Sequence, residues 1–81
     1  MRATRASAPT YVVTHRKHHK TGLVREAYLR INGFYTVGIA AGTSPKFREI
    51  IDNVRRHAES TGTTDKAAVK RMFEEEVAAN M

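Results

Sequence analysis

The run LVREAYLRINGFYTVGIAA, residues 23–41, holds Asn32-Gly33 between two apolar, β-prone segments. Asn followed by Gly best tolerates the positive φ that both central positions of a type I′ turn require, so the run predicts a β-hairpin. A two-residue turn sets Ile31 opposite Phe34, Leu29 opposite Thr36 and Ala27 opposite Gly38. On the other face it sets Arg30 opposite Tyr35, Tyr28 opposite Val37 and Glu26 opposite Ile39. This register gathers Leu23, Ala27, Leu29, Ile31 and Phe34 on a face to be covered. It leaves Val24, Tyr28, Tyr35, Val37 and Ile39, with Glu26 and Arg30, on a face open to solvent.

Upstream of the hairpin, Tyr11, Val12, Val13 and Thr14 are strand formers, and residues 10–15 read as a first strand. The basic segment Arg16-Lys17-His18-His19-Lys20-Thr21-Gly22 reads as the loop into the hairpin. Three strands in a meander, order 1-2-3, follow. Residues 1–9 carry no hydrophobic period and read as a flexible basic tail that precedes one domain over 10–81.

Downstream, Ser44-Pro45 offers an N-cap and a proline at the first helical position. Phe47, Ile50, Ile51, Val54 and Ala58 then recur at helical spacing. Arg48 with Asp52 and Arg55 with Glu59 lie four apart with opposite signs on the other side. A helix over about 45–60, ended near Gly62, is expected. Thr63-Thr64-Asp65 offers new caps for a second helix over about 65–78, with Val69, Met72, Phe73 and Val77 as its apolar stripe. Glu74-Glu75-Glu76 sits at its C-terminal end, where negative charge opposes the macrodipole. The fold class is therefore α+β: a three-stranded antiparallel meander followed by two α-helices. The expected core is Val13, Leu29, Ile31, Phe34, Phe47, Ile50, Ile51, Val54, Met72, Phe73 and Val77.

Eighty-one residues allow one small domain with a modest core. A homodimer is one way for such a chain to bury more. No run approaches the roughly 18 apolar residues of a membrane helix, and no apolar segment follows the N-terminal arginines as in a secretory signal. There is no cysteine, hence no disulfide framework and no thiolate metal site. A cytoplasmic location fits that composition.

The net charge of +6 is one-sided: residues 1–22 contribute +5 and hold no acid. Such a field favours phosphate backbones or acidic protein surfaces as partners. Arg16, Lys17, His18, His19 and Lys20 are the first candidates for phosphate contact. Arg25, Arg30, Tyr28 and Tyr35 on the sheet come next, and Arg2 and Arg5 in the tail add contacts without sequence preference. Tyrosine on an open face stacks on bases or anchors an interface. The strand-strand-strand-helix outline is similar, as architecture, to sheet-reading DNA-binding domains that lay three strands into the major groove.

Other chemistries find little support. His15, His18 and His19 are close in sequence, yet three cationic neighbours oppose a dication, so neither a metal nor a cofactor is expected. Ser7, Ser44 and Ser60 have tail, cap and helix-end explanations, and the acids lie on helix faces rather than around a cleft. No glycine loop has phosphate-cradling or dinucleotide spacing. The expectation is a non-catalytic nucleic-acid-binding module. The alternative is a small protein-binding inhibitor or adaptor, of the phage or mobile-element kind, that docks on an acidic surface or a nucleic-acid groove of a larger enzyme.

Overall fold

The computed structural model describes residues 9–80. Its elements run β1 (Tyr11–Lys17), β2 (Val24–Ile31), β3 (Tyr35–Ala40), α1 (Phe47–Thr61) and α2 (Lys66–Ala79). The strands form one antiparallel sheet in the order β1-β2-β3, and both helices follow it, so the α+β fold is the one expected. Among the described residues no helix is long and apolar enough to cross a membrane.

The hairpin turn forms at Asn32 and Gly33, with φ of 55° and 71°, but the register differs from the two-residue expectation. Ile31 pairs with Tyr35, Leu29 with Val37 and Ala27 with Ile39, so Phe34 is an extra residue outside the ladder. Asn32 supplies part of the reason. Its backbone N–H donates to the Thr10 carbonyl at 2.9 Å, and its Oδ1 accepts from the Thr10 N–H at 3.0 Å. The turn residue thereby continues the β1–β2 ladder instead of serving the hairpin alone. Burial supplies the rest. The observed register turns Val37 and Ile39 inward at the expense of Phe34. Each buried side chain of this size gains about 1.5–3 kcal/mol, so two inward residues outweigh one.

The consequence is a correction to the two faces. A one-residue slip inverts every side chain of a strand, so Tyr35, Val37 and Ile39 face the helices, not solvent. Phe34 is 87% exposed and Leu23 68% exposed, so neither joins the core. The buried apolar set is Ala27, Leu29, Ile31, Ile39, Phe47, Ile50, Ile51, Val54, Ala58 and Val69, with Val13, Tyr11, Tyr35, Val37, Ala41, Met72, Phe73 and Val77 packed at its margin, joined by Val24, which was expected on the open face.

Helix α1 starts at Phe47, two residues later than expected. Ser44, itself buried, accepts from the Lys46 N–H through Oγ at 3.1 Å and from the Phe47 N–H through its carbonyl at 3.1 Å. The serine thus closes the turn that feeds the helix instead of capping its first residue. Gly62 ends α1 in the left-handed region, φ 71°, as its lack of a Cβ permits. Arg55 bridges Asp52 at 3.0 Å and Glu59 at 2.7 Å. Arg56 also reaches Asp52, at 3.3 Å, so Asp52 is taken and the expected Arg48 pair does not form. In α2, Asp65 caps the first turn by accepting from the Ala68 N–H at 3.0 Å. At the far end Glu76 accepts from the Asn80 amide at 3.0 Å and from the Asn53 amide at 3.5 Å.

The helices cover one face of the sheet only. Helix α1 packs on all three strands, and α2 packs on α1. Two tyrosines tie the interhelical linker to the sheet. Tyr11 donates through its hydroxyl to the Thr63 carbonyl at 2.8 Å, and Tyr35 to the Thr64 carbonyl at 2.7 Å.

Candidate nucleic-acid interface

Up to the register shift after Arg16, the uncovered face is built from the even-numbered residues of the ladder. Its rows are Val12–Arg30–Thr36, Thr14–Tyr28–Gly38 and Arg16–Glu26–Ala40. In the middle row the Tyr28 ring lies across Gly38: a Cβ there would stand 2.6 and 2.7 Å from two ring carbons. Glycine makes room for that close approach; a side chain here would force the ring to shift. The Tyr28 hydroxyl donates to Glu26 Oε1. That bond, then partial burial, raises the phenol above its ordinary pKa, while the nearby Arg16 guanidinium pulls the other way.

Strand β1 extends to Lys17, further than expected, and takes Arg16 and Lys17 out of the loop. The alternating strand pairs Arg16 with Glu26, and a bulge follows between Arg16 and Lys17. The remaining loop is closed by His18. Its carbonyl accepts from the Gly22 N–H and its N–H donates to the Leu23 carbonyl, both at 2.8 Å. Its Nδ1 accepts from the Lys20 and Thr21 N–H groups at 3.2 and 3.4 Å. His19 stacks on His18, with ring centroids 5.0 Å apart.

At this end of the sheet an open basin of ≈ 790 Å³ is lined by Arg16, Lys17, His18, His19 and Arg25, together with Glu26 and residues 40–42. Bulge, loop and strand end thus bring five of the expected phosphate-binding residues around one concavity. Glu26 is its single carboxylate. Arg16 approaches that carboxylate at 3.8 Å with most of its own side chain exposed, a loose pair of the kind worth little in water. Lys17 and Arg25 have no ion-pair partner among the described residues.

The other expected site residues are placed elsewhere. Lys20 is exposed in the loop but does not line the basin. Arg30 stands on the open face, two rows from Arg16. Tyr35 is corrected: the register turns it under the helices, where its hydroxyl is spent on Thr64. Arg2 and Arg5 lie outside the described residues. His15 faces α1 beside Arg48, Glu49 and Asp52, apart from the stacked pair. Among the described residues no three of His, Cys, Asp and Glu converge as metal ligands would. Gly38 was not among the expected site residues; its place between Val37 and Ile39, in an alternating strand, was its visible signal.

A positive, open concavity next to a flat sheet face can hold phosphate oxygens through charge-assisted hydrogen bonds. No family model, no curated protein and no solved structure matches this chain.

Proposed function

We propose that this protein is a small, non-catalytic nucleic-acid-binding module. The observation that carries the reading is the convergence of Arg16, Lys17, His18, His19 and Arg25 on one open basin, beside a sheet face that no helix covers. Phosphates sit in the basin against Lys17, Arg25 and Arg16, and the open face with Tyr28 and Arg30 receives the rest of the strand. His18 is the residue that shapes the loop, through the backbone N–H groups held by its Nδ1. Lys20 adds charge at the rim, and the tail arginines add to the field without setting its position.

The test is a titration of labelled oligonucleotides at about 50 and about 200 mM salt. Affinity falls steeply between the two, because each neutralised phosphate releases counterions. Replacing Lys17 and Arg25 together by alanine weakens binding for every sequence. It also flattens the salt dependence by roughly 0.7–0.9 for each phosphate no longer neutralised. Unchanged affinity and slope in that double variant would remove the basin from the interface.

A second reading is an adaptor that docks on an acidic protein surface, and one observation favours it. Phe34 and Leu23 project into solvent beyond opposite ends of β2, and exposed large apolar side chains on a basic molecule suit a protein interface. Absence of nucleic-acid binding at low salt, with a stoichiometric protein co-purifying from the native host, selects it.

A further inference from the structure

We infer that the strand recognised is single, with a base stacked on Tyr28 and the adjoining phosphate in the basin; this rests on the nucleic-acid reading above and specifies its ligand. The first argument is the relief of the open face. A sheet that reads a duplex groove must project long polar side chains from its centre toward base edges. Here the central row is Thr14, Tyr28 and Gly38, and β3 presents only Thr36, Gly38 and Ala40. No side chain of β3 on this face is long enough to reach into a groove. The long side chains of this face, Arg30 and Arg16, stand in the rows to either side; in the central row the Tyr28 ring has only Thr14 and Gly38 beside it across the strands, a surface on which an unstacked base is held.

The ring is also fixed in place. It lies across Gly38, and its hydroxyl is held by Glu26, so one edge packs on the sheet while the rest of the residue stays partly exposed. A fixed aromatic loses little freedom when a base covers it.

The second argument is continuity between the platform and the basin. Arg16 approaches, at 3.8 Å, the same Glu26 oxygen to which the Tyr28 hydroxyl donates, and it also lines the basin. Tyr28 and Glu26 are two residues apart on β2, about 6–7 Å, the scale of one nucleotide step in an extended strand. A base on the ring therefore brings its own phosphate to Arg16, and the next phosphates to Lys17 and Arg25. A duplex cannot use this arrangement without splaying a base out of its stack, which costs a few kcal/mol.

Fluorescence anisotropy tests this with a labelled single strand of about 16 nucleotides, free of self-pairing, and the duplex of the same sequence. At about 50 mM salt the single strand binds on the order of tenfold tighter than the duplex. Tyr28→Leu lowers single-strand affinity about tenfold and erases that preference, while its melting transition is checked by circular dichroism. The chain contains no tryptophan, so Tyr28→Trp gives a clean reporter whose emission is quenched when the single strand binds. Duplex binding equal to or tighter than single-strand binding overturns the inference, and so does an unquenched tryptophan in a variant that still binds. If neither nucleic acid binds the native chain, the nucleic-acid reading itself falls.

Discussion

Three tyrosines in one small sheet divide into two kinds, and the difference begins with parity. Tyr11 and Tyr35 fall on the helix-facing side and spend their hydroxyls on the Thr63 and Thr64 carbonyls. Burial raises both phenols above their ordinary pKa, with Glu59 adding to the effect at Tyr11, and Asp65 and then Tyr11 at Tyr35. A raised phenol binds its proton more tightly in the folded chain than in the unfolded one. Its stabilising contribution is complete below the ordinary tyrosine range near 10 and is lost as pH climbs through the raised value. We expect Tyr11→Phe and Tyr35→Phe each to cost about 1 kcal/mol in urea unfolding at neutral pH. The double variant should show a shallower alkaline loss of stability than the native chain, when urea midpoints are compared from pH 8 to about 11. Tyr28 sits on the opposite side, and Gly38→Ala tests its platform without deleting it. The new methyl pushes the ring off the sheet, so single-strand affinity drops several-fold while stability changes by less than about 1 kcal/mol. Retained affinity would show that the ring's seat on Gly38 is dispensable.

At the scale of elements, the helices were legible to within two residues because a 3.6-residue apolar period and its caps are local signals. Asp65 caps α2 as its position suggested; Asp65→Ala should cost about 1 kcal/mol, read as a lower urea midpoint. The hairpin shows where local signals stop. Asn32-Gly33 does make the turn, but the ladder is set by Thr10, which is 22 residues away from Asn32, and by which side chains the helices bury. The cue was present: Tyr35, Val37 and Ile39 alternate with Thr36, Gly38 and Ala40, and weighting that alternation over turn length yields the observed register. The reversal can be checked by a pair of substitutions. Phe34→Thr should stay within about 0.5 kcal/mol of the native stability, whereas Val69→Ala, the buried anchor of α2, should cost about 2 kcal/mol. The opposite ranking would restore Phe34 to the core.

Over the whole molecule, a sheet covered on one side by α1, with α2 stacked behind it, leaves one face and one end uncovered. Positive charge gathers at that end because β1 delivers Arg16 and Lys17 to the margin where Arg25 stands, one residue into β2. Low-salt binding that vanishes near physiological ionic strength is the expected behaviour of such a field. A chain with both Lys17 and Arg25 reversed to glutamate should lose detectable binding at about 50 mM salt while its melting curve is kept. Unaltered binding would move the interface off this end of the sheet. The amino-acid sequence alone determined the class of fold, the two helices with their stops, the position of the turn, and the bias of charge toward the first 22 residues. These depend on neighbours within a few positions, or on composition, and so survive without coordinates. Tertiary structure alone decided which parity of β3 faces the helices, hence that Tyr35 ties the linker to the sheet while Gly38 lies beneath the Tyr28 ring, and that Arg25 joins Arg16 and Lys17 around one basin. Those outcomes depend on contacts between residues distant in the chain, where a shift of a single position exchanges inside for outside.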